Sequence, residues 1–177
     1  MTKQRTMILC TIFFSLLILS VSSDSFADKD KGHGEQGEKY LAPVTNAAYK
    51  QECGACHFAY QPGLLPSDSW GKLLAQLPSH FGEEVSIDDA AVKDIGTYLT
   101  ANGAEQSSSK RSRKIYRSLK GVTPTRITEA PYIIEKHRKI EANVFNLEAI
   151  GSRANCIACH TTAEQGNYDD DNVKIPR

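Results

Sequence analysis

The chain has 177 residues, with 21 basic and 21 acidic side chains and a formal net charge of zero. That balance offers no overall basic excess for nucleic acid, which is not expected as a partner. Its only methionines are Met1 and Met7, which excludes thioether ligands from everything after them.

Residues 1–27 read as a secretory signal and stand outside any fold argument. Lys3 and Arg5 give the positive start, Met7 to Val21 the apolar run, and Ser25-Phe26-Ala27 a small-x-small cleavage site. An apolar run of 15 residues is short against the roughly 20 of a spanning helix. The mature protein is therefore expected in the periplasm and not across the membrane. Cys10 leaves with the signal. Residues 28–39 are polar and Gly-rich, and 28–44 read as a flexible leader that includes His33.

Thr45 or Asn46 can cap a helix that runs into Cys53. Its end carries the first of two copies of one word, Cys53-Gly-Ala-Cys56-His57 and Cys156-Ile-Ala-Cys159-His160. C-x-x-C-H is the attachment pattern for c-type haem. On a helical turn, residues three apart share a face, so both thiols reach the haem vinyl groups while the next imidazole meets the iron. Three other uses of the cysteines are weaker. A four-cysteine zinc site keeps its halves within about 15–20 residues, whereas 99 residues separate Cys56 from Cys156. A thioredoxin-like pair needs a strand–helix–strand setting, and no strand pattern flanks Cys53. Disulfides give no reason for a His after each pair.

Gln61-Pro62-Gly63-Leu64-Leu65-Pro66 reads as a loop by its breakers, yet its apolar middle must fold over something. Ser67 is expected to cap a second helix with Trp70, Leu73, Leu74 and Leu77 in an i, i+3, i+4, i+7 stripe. His80 continues the stripe. Ser86 with Asp89 resembles a capping box for a third helix, with Ala91, Ile95, Tyr98 and Leu99 on one face. Residues 106–122 are Ser-rich and basic and read as a linker between haem units at 45–105 and 123–177. A fourth helix is expected from Ala130-Pro131, its Ile133, Ile134 and His137 sharing a face. The acidic tail, Asp169-Asp170-Asp171, is expected to be solvated. The fold class is thus mainly α, with a helical N-terminal unit and a smaller, irregular C-terminal one. Each unit is too small for a self-sufficient core, so covalent haem is expected to act as its staple.

Charge is uneven along the chain. Residues 28–105 carry net −6, residues 106–140 net +8 and residues 141–177 net −3. The basic middle is either a solvated linker or a contact for haem propionates or an acidic partner. Arg126 is a candidate for a propionate.

Two irons need two ligands beyond His57 and His160, and no methionine is available. Of the remaining histidines, His33 lies in the leader, where ordering it costs backbone entropy. His80 and His137 remain, one near each motif. His57 with His80 and His137 with His160 both span 23 residues, which favours local over crossed pairing.

With these features in place, the chain resembles the bacterial dihaem cytochrome c family. The matching stretches are Glu52 to His57, Tyr60 to Pro66, Ser69-Trp70, His80 to Glu83, Arg126 to Glu129, Lys136-His137-Arg138, Ala154 to His160 and Glu164 to Gly166. The resemblance implies two low-spin, bis-histidine haem c groups and an N-terminal half like class I cytochrome c. It also implies electron delivery to a small oxygen-binding monohaem cytochrome c, sometimes beside a membrane b-type cytochrome. The expected function is electron transfer, not catalysis, at low potentials because both irons lack methionine. The rival readings are a dihaem peroxidase or reductase with one open iron, and a gas-sensing or haem-relay module.

Overall fold

The computed structural model describes residues 39–176. Among the described residues, five α-helices form, joined by short 3-10 turns, and the only strand-like features are two isolated bridges, His80–Glu83 and His160–Val173. The fold is mainly α. The signal expected at 1–27 lies outside the described residues, as does most of the leader with His33. The leader's last residues are packed, with Leu41 and Val44 buried.

Helix α1, Ala47–Cys53, starts at Asn46, whose side chain accepts from the Tyr49 amide at 2.7 Å. Helix α2, Ser67–Ala75, starts differently from expectation. Ser67 is its first helical residue, and the Ser67 amide donates to the Glu105 carboxylate at 3.0 Å, so the cap comes from beyond the next helix. Pro78 then prevents α2 from continuing, and a 3-10 turn, Leu77–Ser79, follows. His80 therefore sits after that turn rather than on a helix face, which corrects the stripe reading. Helix α3, Asp89–Ala101, is capped by Asp88, not by Ser86, through the Ala91 amide at 3.0 Å.

The stretch read as a linker contains helix α4, Lys110–Leu119. Its cap is Ser109, and Ser112, Ile115 and Leu119 are buried on one face. An i, i+3, i+7 stripe makes a helix whatever the composition of the opposite face. Helix α5, Pro131–His137, opens on its proline as expected. The Tyr132 amide donates to Ser118 Oγ at 3.2 Å, tying α5 to α4.

Two cores result. One gathers Val44, Tyr49, Leu65, Trp70, Leu73, Ile95 and Leu99; the other gathers Leu41, Leu64, Ile115, Leu119, Ala130, Ala163 and Tyr168. The Pro62–Leu64 turn explains the apolar loop. Leu64 enters the second core and its neighbour Leu65 the first, while Tyr60 and Ile127 pack against both. The Trp70 indole fixes the turn by donating to the Pro62 carbonyl at 2.8 Å.

Buried Gln61 then ties the halves together. Its amide donates to the Ala163 carbonyl at 2.6 Å, and its carbonyl accepts from the Tyr168 hydroxyl at 2.6 Å. Beside it, the Leu41 amide donates to the Gly166 carbonyl at 3.1 Å. Gly166 has φ +75°, and a Cβ there would lie 2.0 Å from the Leu41 carbonyl oxygen, so only glycine fits. Asp169 departs from the solvated tail expected of it. It meets Lys39 at 2.7 Å, the Tyr40 hydroxyl at 3.3 Å and Arg111 at 3.9 Å.

Candidate functional site

The first C-x-x-C-H word turns off the end of a helix and the second starts in a 3-10 turn. Cys53 ends α1, whose last turn closes through the Gly54 amide onto the Lys50 carbonyl at 3.0 Å. Gly54 leaves no room for a side chain, since a Cβ would sit 2.0 Å from that oxygen. At the second motif, Cys156–Ala158 forms a 3-10 turn, and the His160 amide donates to the Cys156 carbonyl at 2.8 Å. None of the four cysteines pairs with another in a disulfide. Burial pushes the Cys53 and Cys156 thiols up to about 11, with Glu52 and Cys159 respectively adding to the rise.

The fold brings the four imidazoles together in two local pairs. The rings of His57 and His80 have centroids 6.4 Å apart and planes at 23°. Those of His137 and His160 are 5.9 Å apart at 77°. A metal–imidazole bond is about 2 Å, so two imidazoles on opposite sides of one iron place their centroids roughly 6 Å apart. Both pairs fit that span.

The second ring nitrogen of each imidazole bears on which atom is free. Nδ1 of His57 lies 2.9 Å from the Phe58 carbonyl, and Nδ1 of His137 lies 2.8 Å from the Ile133 carbonyl. Donating there fixes the tautomer and leaves the Nε2 lone pair for a metal. Nδ1 of His80 and of His160 is buried with no partner among the described residues. Each pair thus joins one imidazole fixed by backbone to one held by packing. Burial holds His80 and His160 below the usual histidine range; facing His57 and Arg126 add to this at His80, and His137 and Arg111 at His160. Neutral imidazole is the metal-binding form.

An aromatic ring flanks every imidazole: Tyr60 at 4.8 Å from His57, Phe81 at 4.7 Å from His80, Phe145 at 6.4 Å from His137 and Tyr168 at 5.3 Å from His160. The second pair lies in a cleft lined by Leu64, Ile133, Ile150, Cys156 and Cys159, with Arg111 and Arg153 among its polar residues. Arg153 stacks over Phe145 at 4.6 Å. Arg126 stands by the first pair instead, 4.0 Å over the Phe81 ring and 3.7 Å from Glu129. Tyr60 bridges the sites: its hydroxyl donates to the Ala154 carbonyl at 2.6 Å, two residues before Cys156. The Tyr60 link to Ala154 and the Arg111 link to Tyr168 were not legible in the sequence, because both cross the chain and leave no spacing signal.

A family model described as dihaem cytochrome c matches residues 49–168. The chain belongs to the dihaem cytochrome c family. The solved structure of a diheme cytochrome c from Rhodobacter sphaeroides is 41% identical, with 72% of this chain and 100% of that one covered and a TM-score of 0.62. A diheme cytochrome type c from Shewanella baltica OS155 is 36% identical over 74% of this chain and 93% of its own, with a TM-score of 0.61. No match appears among curated proteins. As a dihaem cytochrome c, the protein carries two haem c groups, and its function is haem-based electron transfer. No described helix is long and apolar enough to cross a membrane.

Proposed function

We propose that this dihaem cytochrome c is a periplasmic electron carrier whose two irons are each clamped by two histidines. His57 and His80 would hold the first iron, and His160 and His137 the second. Cys53 with Cys56, and Cys156 with Cys159, would form the thioether links. The observation that carries this reading is the pair of imidazole separations, 6.4 and 5.9 Å, each suited to one intervening iron. When bound, each haem supplies a one-electron Fe(III)/Fe(II) couple.

The protein's own residues then do three things. His57 and His137 present Nε2 by anchoring Nδ1 on backbone carbonyls. Leu64 and Tyr168, both buried, shield the second pair from water. Arg111 and Arg153 at the second site, and Arg126 at the first, offer guanidinium groups to propionates. Two imidazoles at each iron would leave it no place for substrate, which favours a carrier over a peroxidase or reductase. By family resemblance the acceptor is a small oxygen-binding monohaem cytochrome c, with a membrane b-type cytochrome as a second partner.

Carbon monoxide tests the reading. The reduced, fully loaded protein should keep its low-spin spectrum under the gas. His80→Ala and His137→Ala should each open one of the two haems to it. Prompt binding by the unaltered protein, or a variant with the parental spectrum, would overturn the ligand assignment.

A further inference from the structure

The outer face of α4 carries a charge pattern that the helix itself does not need. Lys110, Arg113, Lys114 and Arg117 follow at i, i+3, i+4 and i+7, and Lys120 lies one turn further on. No acidic residue stands in the first turn, where the helix dipole favours one and disfavours cations. Like charges four apart, as in Lys110–Lys114 and Arg113–Arg117, are mutually destabilising. Lys114, Arg117 and Lys120 are exposed and form no ion pair among the described residues. These three like charges, with no counter-charge among the described residues, point outward.

The opposite face of α4 reaches the second haem site. Arg111 lines that cleft and donates to the Tyr168 carbonyl at 3.0 Å. The α4 helix also packs on α5, which ends in His137. A body seated on the stripe is thus separated from the His137 helix by α4 alone, and packed helix axes lie about 8–10 Å apart.

We propose that the exposed face of α4 docks the acidic surface of a redox partner and directs electron exchange to the second haem. The proposal rests on the bis-histidine carrier reading. A membrane surface suits the stripe less well. Interfacial helices insert an apolar face, and the apolar face of α4, Ser112, Ile115 and Leu119, is already buried in the core. Only Tyr116 and Val122 offer large apolar side chains beside the stripe. An acidic protein needs no insertion, and complementary charge both steers and orients it.

The experiment uses the loaded protein with a reduced plant-type [2Fe–2S] ferredoxin as an acidic probe. One electron leaves the reduced cluster, one Fe(III) haem becomes Fe(II), and no atom is transferred. At low salt, the double variant Lys114→Glu/Arg117→Glu should react at least about tenfold more slowly than the parent. The gap should close at high salt. Lys93→Glu, an exposed change on α3, should leave the rate within about twofold, and uncharged photoreduced lumiflavin should reduce all three proteins alike. An unchanged ferredoxin rate in the double variant, or an equal fall with lumiflavin, would overturn the proposal. So would loss of binding to phosphatidylglycerol vesicles with the ferredoxin rate intact, which would assign the stripe to a membrane. Failure of the ligand reading appears separately, as carbon monoxide binding to the unaltered protein.

Discussion

The imidazole planes differ between the sites, 23° in the first pair and 77° in the second. Near-parallel axial planes split the two π-type d orbitals of low-spin Fe(III), whereas near-perpendicular planes leave them almost degenerate. The oxidised protein should therefore give two low-spin EPR signals, one rhombic and one with a single, strongly shifted g feature. His137→Ala should remove the second selectively; two alike rhombic signals would contradict the ring geometry. Tyr60 and Gln61 act at the same scale. Replacing Gln61 by Leu leaves the buried Tyr168 hydroxyl without a partner and takes one of two donors from the Ala163 carbonyl, which keeps the Gly166 amide, a cost of about 1–3 kcal/mol. Chemical unfolding followed at the haem bands should show it. Tyr60→Phe keeps the ring against His57 but deletes the link to Ala154. A loss of about 1 kcal/mol is expected, together with slower exchange between the haems in NMR of the half-reduced protein; an unchanged exchange rate would deny Tyr60 its bridging role.

At the scale of elements, what could be read in advance depended on whether the signal was local. Asn46, Pro131 and the two C-x-x-C-H words carry their information within one or two turns, and those positions were legible. The third helix was placed, but its cap fell on Asp88 because the Asp88 and Ser86 signals compete within a few residues. His80 was carried along the stripe of α2 although Pro78 had already marked its end. In α4 the apolar spacing of Ile115 and Leu119 was present but outweighed by lysine, arginine and serine. Asp169 could not be seen as more than a tail residue, since its partners Lys39, Tyr40 and Arg111 are remote in sequence. That clasp has a pH signature. The hydrogen bond from Lys39 holds the Asp169 carboxyl below its ordinary value, with Arg111 contributing. Its folded pKa is depressed, so the stabilisation is complete above the unfolded carboxylate value of about 4 and is lost as pH falls below it. Corrected for the intrinsic rate, which itself slows on acidification, amide exchange in residues 166–173 should accelerate through that range. Asp169→Asn should exchange fast at neutral pH and lose the acid-dependent rise; a variant with the parental profile would remove the clasp from the account.

At the scale of the whole molecule, the two haem sites are unequally supported. Around the first, α1, α2 and α3 close a core of seven buried side chains that includes Tyr49, Trp70, Ile95 and Leu99. Beyond Ala130, by contrast, only Ile150, Ala163 and Tyr168 are buried apolar residues, while Ile134, Leu147, Ile157 and Ile175 are exposed. A chain segment that buries so little cannot offset its conformational entropy alone. It is held by Gln61, by the Leu41–Gly166 hydrogen bond and by whatever fills the apolar cleft between His137 and His160. The second haem is therefore the more structural of the two. Removing its attachment with Cys156→Ala/Cys159→Ala should raise amide exchange across residues 142–176 and erase cooperative unfolding there, while the first haem keeps its low-spin spectrum. The matching change at Cys53 and Cys56 should weaken the N-terminal half less, because its helices still share a core. Protein carrying neither haem should lose both the C-terminal protection and most of its near-ultraviolet circular dichroism. If residues 142–176 stay protected without their haem, the segment folds on protein contacts alone and the staple argument fails.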